Sequence, residues 1–154
     1  MRKSAGILLY RKEKSKIEVL LVHPGGPFWA QKDLGVWSIP KGEYNENEDP
    51  LLAAVREVEE ETGYRPQGPF LPLAPIKQKA GKQVMAWAAE GDLNPETIKS
   101  NTFKLQWPPN SGKWITIPEV DKAGWFSPAV AKQKIIPTQI PLIVELLVNL
   151  KIDN

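Results

Sequence analysis

Residues 42–64 read GEYNENEDPLLAAVREVEEETGY. Asp49 is a favourable N-cap, Pro50 suits the first helical position, and Gly63 suits the residue just past the end. Between them Leu51, Val55, Val58 and Thr62 recur at i, i+4, i+7 and i+11, one apolar stripe of a 3.6-residue period, so the spacing predicts a helix that starts at Pro50 and ends just before Gly63. The same helix crowds Glu57, Glu59, Glu60 and Glu61 into five positions, and like charges one turn apart repel. Glu57, Glu60 and Glu61 stand at i, i+3 and i+4, with Glu60 and Glu61 each within roughly 60° of Glu57, on the face opposite the stripe. Glu59 lies roughly 160° from Glu57 and is assigned no chemistry. Three carboxylates on one face are either a solvated acidic surface or oxygen ligands for a hard divalent cation.

The rest of the chain narrows the chemistry. At 154 residues it is read as one domain, 1–154. There is no cysteine, which excludes disulfides and thiolate metal sites. The one histidine, His23, rules out the usual histidine zinc cages and argues against a Ser-His-Asp triad. Carboxylates and lysines are left to carry any reaction. No apolar run reaches the length of a membrane span, and Ala5–Tyr10 is too short for a secretory signal, so a cytoplasmic protein with no membrane partner is expected. The net charge of +2 hides a division: residues 43–61 hold eight acids and one base, leaving nineteen bases and ten acids elsewhere. An acidic patch in a basic body suits a divalent cation together with a polyanionic ligand, although any single lysine is read first as surface solvation.

Along the chain, Ser4–Tyr10 and Ile17–Val22 read as the strands of a hairpin around the polar segment 11–16. HPGGPFWAQKDLG (23–35) is punctuated as a loop. VWSIP (36–40) reads as a short strand entering a second loop, 41–49. FLPLAPIKQ (70–78) and KQVMAWAAE (82–90) read as paired strands around an Ala80-Gly81 turn. Residues 91–112 read as a polar, irregular excursion, and KWITI (113–117) and AGWFS (123–127) as extended. A short helix is expected from Ser127-Pro128 to about Lys134. An amphipathic one follows within 138–150, its stripe made by Ile143, Leu146, Leu147 and Leu150. No repeat, low-complexity tract or linker divides the chain. Strands and helices mixed without regular βαβ alternation predict an α/β (α+β) sandwich around a mixed sheet.

Gly42, five residues, Glu48, seven residues and then REVEEETGY is the spacing of the Nudix box, and the chain resembles the Nudix hydrolases. Gly42, Glu48, Arg56, Glu57, Val58, Glu60, Glu61 and Gly63 stand where that family's pattern requires them. Tyr64 departs from it at a packing position where an aliphatic residue is usual. The resemblance implies an α/β/α sandwich over most of the chain, with Mg²⁺ (or Mn²⁺) held by Glu57, Glu60, Glu61 and the backbone carbonyl of Lys41. It implies that Glu48 and Arg56 orient the loop and helix, and that Gly42 permits a close backbone approach. The implied reaction is hydrolysis of a diphosphate linkage in a nucleoside diphosphate joined to a group X, with a carboxylate taking the proton from water. That carboxylate is a box glutamate (Glu57 or Glu60) or a downstream one. Glu119, six residues before Trp125, is the downstream candidate, and Glu90 the weaker competitor.

Lys41, immediately before the box glycine, is similar to members acting on dinucleoside polyphosphates and offers a charge for phosphate. Trp29 and Trp37 are candidates for stacking a base, Trp87 and Trp125 are assigned to the core, and Lys113 is a further possible phosphate contact. The expected partner is a small nucleotide, with dinucleoside polyphosphates or nucleoside triphosphates favoured. No nucleic-acid polymer is expected, and the chain is a monomer or homodimer. The alternative, from another functional class, is a non-catalytic nucleotide sensor; RNA decapping ranks below both.

Overall fold

The computed structural model describes residues 3–78 and 81–151. Strands β1 (Lys3–Glu13) and β2 (Lys16–Pro24) form the expected hairpin, with Tyr10 opposite Val19 and Glu13 opposite Lys16. Their alternation is apolar on both sides because both faces are covered. Leu8, Val19 and Leu21 belong to one buried cluster, and Ile7, Leu9 and Leu20 to the other.

The chain then departs from the sequence expectation. VWSIP makes only isolated bridges, Val22 with Ser38 and Trp37 with Ile135. The strand is the next segment, β3 (Lys41–Glu43), where the sequence predicts loop. It pairs antiparallel with the first part of β1, Ser4 opposite Glu43 and Gly6 opposite Lys41. β2 pairs only with the later part of β1, so residues 38–43 fill the gap where the two hairpin strands diverge. This insertion carries Lys41 and Gly42 into the sheet.

Helix α1 (Pro50–Thr62) begins and ends at the predicted residues. The Asp49 carboxylate accepts from Leu52 N–H at 3.0 Å, and Gly63, at φ +80°, closes the helix by donating to the Glu59 carbonyl. Asp49→Ala should cost about 1 kcal/mol of stability, read as a lower urea midpoint at unchanged slope.

Strands β4 (Leu71–Lys77) and β5 (Gln83–Glu90) pair antiparallel as predicted, although Ala80 of the expected turn lies outside the described residues. β5 lies parallel to β1, which makes the sheet mixed, in the order β4-β5-β1-β2 and finally β8 (Val120–Phe126), with β3 joined to β1. The excursion 91–112 is less irregular than expected. It holds a 3₁₀ turn (Pro95–Thr97) and strand β6 (Thr102–Gln106), which pairs with β7 (Trp114–Pro118) as a separate two-stranded ribbon. Helices α2 (Pro128–Lys134), capped by Ser127, and α3 (Ile140–Asn149) complete the order.

α1 buries Ala54 and Val58 with Ile7, Leu9 and Leu20 on one face of the sheet. α2 and α3 bury Ala131, Ile143, Leu146 and Leu147 on the other. The result is an α/β/α sandwich in which the edge of α1 meets the inserted β3. No helix among the described residues is long and apolar enough to cross a membrane.

Candidate active site

The carboxylates gather where α1 passes under β3. Glu57 is not on an open face, as helical periodicity alone implied; it is buried against Gly42. A Cβ at Gly42 would land on the Glu57 carboxylate, so glycine there follows from the packing of strand on helix. Arg56 organises the neighbours. Its Nη1 donates to Glu57 Oε2 at 2.7 Å and to Glu60 Oε1 at 3.2 Å, and its Nη2 donates to Glu48 Oε2 at 3.0 Å. Glu48 in turn accepts from Asn45 N–H at 3.1 Å, which folds the 44–48 loop onto the helix. Glu59 points away and pairs with Arg65 at 3.2 Å.

Glu61 accepts from the Lys41 N–H at 3.3 Å, which sets the Lys41 peptide beside the helix. Glu119, in the link between β7 and β8, approaches the same group from another element and repels Glu57, Glu60 and Glu61. Crowding shows in the proton affinities. Burial, then repulsion from Glu119, pushes Glu61 up to about 8 against the opposing Lys41 N–H and ammonium. Burial, then repulsion from Glu60, pushes Glu57 up to about 7 despite Arg56. Glu119 is raised by partial burial and by Glu60. Burial also pushes the Lys41 ammonium below its usual range, although Glu61 pulls the other way.

Buried hard-oxygen donors that repel one another are the chemistry a divalent cation relieves, so the set fits Mg²⁺ or Mn²⁺. As they lie, no three acidic or histidine side chains among the described residues surround one point. Arg56 draws Glu57 and Glu60 to itself, so the set would close on a cation only after side-chain rotation.

A pH dependence follows from the raised carboxylates. An unfolded glutamate titrates near 4.3, whereas Glu57 and Glu61 hold their protons in the fold to about 7 and 8. Their contribution to stability is therefore full below about pH 4 and is lost as pH rises through 7 to 8. Without divalent ions the melting temperature should fall over that window, and Glu61→Gln should flatten the fall. Added Mg²⁺ should raise the melting temperature more at pH 8.5 than at pH 6, where protons compete with it. Calorimetry with and without chelator reads both slopes, and equal Mg²⁺ shifts at the two pH values would contradict the carboxylate set.

A cleft of about 250 Å³ opens beside the carboxylates. Lys41, Glu61 and Glu119 line one part of it; Val22, Pro24, Val36, Ile39, Val120 and Ile136 give it apolar walls, and Trp29 stands in the lining. Trp29 is thus where a stacking platform is useful. Trp37 is not: it is 4% exposed, its Nε1 donates to Asp33 at 2.8 Å, and it meets His23 and Phe126 edge-on at 5.1 Å each. Core packing consumed its rings, which removes it as a substrate contact. Trp87 and Trp125 pack partly buried on the α1 side. Glu90 lies exposed at the end of β5, and Lys113 sits on the β6–β7 ribbon; neither lines the cleft.

Two contributors were missed by sequence reasoning. His23 is fully buried; its Nε2 donates to the Lys32 carbonyl at 2.7 Å and its Nδ1 meets Asp121 at 2.8 Å, so it fixes both ends of the loop that carries Trp29. Gly25, which the sequence marks only as loop punctuation, packs its bare α-carbon against the Pro118 carbonyl. Its signal was the Gly-Gly pair directly after a strand, which marks close backbone approach.

A mixed sheet between helices, with an arginine-tied glutamate cluster where helix meets inserted strand, is the architecture of a Nudix domain. The chain belongs to that family: the NUDIX domain family model matches residues 1–146. Among characterised relatives, an asymmetrical bis(5'-nucleosyl)-tetraphosphatase of Caenorhabditis elegans is 41% identical over 59 residues, 38% of this chain and 38% of that protein. A CMP-5'-(N-acetyl-N-hydroxy-3-aminopropyl)phosphonate hydrolase of Streptomyces rubellomurinus is 38% identical over 63 residues, 41% of this chain and 28% of that one. These matches span well under half of either relative. Of solved structures, a C. elegans Ap4A hydrolase binary complex superposes with TM-score 0.67 at 24% identity, covering 96% of this chain and 98% of the other. The NUDIX domain of Shewanella oneidensis NrtR, complexed with ADP ribose, gives 0.63 at 17% identity, covering 96% and 87%. At those identities the likeness is one of fold.

Proposed function

We propose that the protein is a divalent-metal-dependent pyrophosphohydrolase that cleaves a diphosphate linkage in a nucleoside diphosphate joined to a second group, with dinucleoside polyphosphates or nucleoside triphosphates as favoured substrates. The observation that carries this is a cleft lined by Glu61, Glu119, Lys41 and Trp29, with Glu57 and Glu60 close enough to Glu119 to couple with it electrostatically. The relative active on bis-nucleosyl tetraphosphates supports the substrate class.

Glu57, Glu60, Glu61 and the Lys41 backbone carbonyl would hold the metal, which when bound supplies charge neutralisation for phosphate and acidifies water. Lys41 brings a cation to the phosphate chain from within the cleft lining. Trp29 offers an apolar face to the nucleoside. Glu119, whose proton affinity is raised, accepts the proton of the attacking water.

The test is a substrate panel with Mg²⁺: dinucleoside polyphosphates, nucleoside triphosphates including oxidised ones, ADP-ribose and nucleotide sugars. Chelator-sensitive release of a mononucleotide from the first two classes is expected. Binding with no cleavage across the panel would instead assign the chain to the non-catalytic sensors.

A further inference from the structure

The Glu119 peptide is held along both of its edges. Its N–H donates to the Asn101 carbonyl at 2.9 Å, and Asn101 N–H donates to the Glu60 carbonyl on α1, also at 2.9 Å. Ser100 braces this side: its Oγ accepts from Val120 N–H at 3.0 Å and donates to the Asn101 carbonyl at 2.8 Å. On the opposite edge the Glu119 carbonyl accepts from Gly25 N–H at 3.0 Å. Backbone hydrogen bonds therefore run unbroken from the glutamate helix, through Asn101 and Glu119, to the loop that carries Trp29.

The last of these contacts exists because residue 25 has no side chain. A Cβ there would collide with the Pro118 carbonyl oxygen, a backbone atom that cannot rotate away. Gly26 beside it has φ +97°, and a Cβ on it would press on Ile117 Cδ1 at 2.6 Å. The 24–26 turn thus seats itself against residues 117–119 through two bare α-carbons. β8 leaves Glu119 toward β2 with a register shift at His23/Pro24, so regular ladder pairing does not fix the Glu119 position. The Gly25 and Asn101 hydrogen bonds do.

We propose that Gly25 is a positioning residue of the active site: the bare turn holds the Glu119 backbone so that its carboxylate faces Glu57, Glu60 and Glu61. This role rests on the reading of Glu119 as the proton acceptor. A side chain at 25 has to push the 117–119 segment outward, and a displacement of about 1 Å at a reacting group can cost on the order of 10²-fold in rate.

Gly25→Ala should lower kcat by roughly 10- to 100-fold with little change in KM. In a Glu119→Gln background the same substitution should cause no further fall in kcat, because the group it displaces is already disabled. Amide hydrogen exchange gives a readout apart from activity: protection at residue 25 is lost in Gly25→Ala while the α1 amides keep theirs. Should that variant fail to fold, Ser100→Ala loosens the opposite edge without a steric clash. It should show a smaller loss of kcat, again absent in the Glu119→Gln background. Losses that multiply with Glu119→Gln, or an undiminished kcat in both variants, would overturn the positioning role. Full turnover by Glu119→Gln alone is a separate result, which removes the reading beneath it.

Discussion

Glu60→Gln should retain the fold and lose Mg²⁺-dependent turnover by about 10³-fold. The two expectations have different causes. For stability, the substitution is isosteric, Glu60 is over one-third exposed, and what it gives up is an i,i+4 pair with Arg56 at 3.2 Å. Such a pair is worth about 0.3–0.5 kcal/mol. Removing the charge also relieves the repulsion that Glu60 exerts on Glu57 and Glu119, so the two terms oppose each other and the melting temperature should move little. For turnover, no such compensation exists. An anionic oxygen ligand that helps neutralise phosphate charge contributes several kcal/mol to the transition state, and each 1.36 kcal/mol is tenfold in rate. The measurement is kcat at saturating Mg²⁺ beside a thermal melt. Turnover near that of the parent would dismiss Glu60 from the metal set, whereas joint loss of turnover and fold would make it structural.

How much of this was readable before the fold was known depends on the range of the interaction involved. Helix α1 was legible to the residue because its signals are local: Asp49, Pro50 and Gly63 act within a turn of themselves. The tie between Arg56 and Glu60 is likewise set by i,i+4 geometry. What periodicity could not give is the burial of Glu57, since Gly42 of β3, which covers it, pairs with Ala5, 37 positions earlier in β1. A helical wheel separates an apolar face from a charged one, but it does not say what is laid over the charged one.

The same limit separates Trp29 from Trp37, which composition treats alike. Trp37 is committed to the core by His23, Phe126 and Asp33, and all three contacts depend on how β2, β8 and the 23–35 loop converge. The β6–β7 ribbon is a different kind of miss. Its alternation was present in the sequence, with Phe103 and Leu105 facing Ile117 and Ile115 across the pair. Neighbouring Pro, Asn and Ser residues diluted the signal over a longer window. That ribbon matters because it delivers the chain to Glu119, the carboxylate the box itself does not contain.

Glu119→Gln should therefore reduce kcat by about 10²–10⁴-fold, the range for loss of a positioned general base, while leaving KM and Mg²⁺ affinity close to those of the parent. The separation of effects follows from where the residue sits. Glu57 and Glu60 share the Arg56–Glu48 tie, and Glu61 stands beside them on the same helix, so a change in one should propagate to metal binding. Glu119 reaches them from another element, its backbone held by hydrogen bonds to Asn101 and Gly25 and its side chain outside the Arg56 tie. Its amide counterpart keeps the shape and loses only the capacity to take a proton. Glu119 also raises the proton affinity of Glu61, so the substitution has a second consequence. With that repulsion gone, Glu61 should release its proton at lower pH, and the loss of ion-free stability with rising pH should be smaller and end at a lower pH, its onset still set by the unfolded glutamate. The pH–rate profile should simultaneously lose its base-dependent limb. An unchanged rate with an unshifted stability profile would place Glu119 outside the site and return proton transfer to a glutamate of α1.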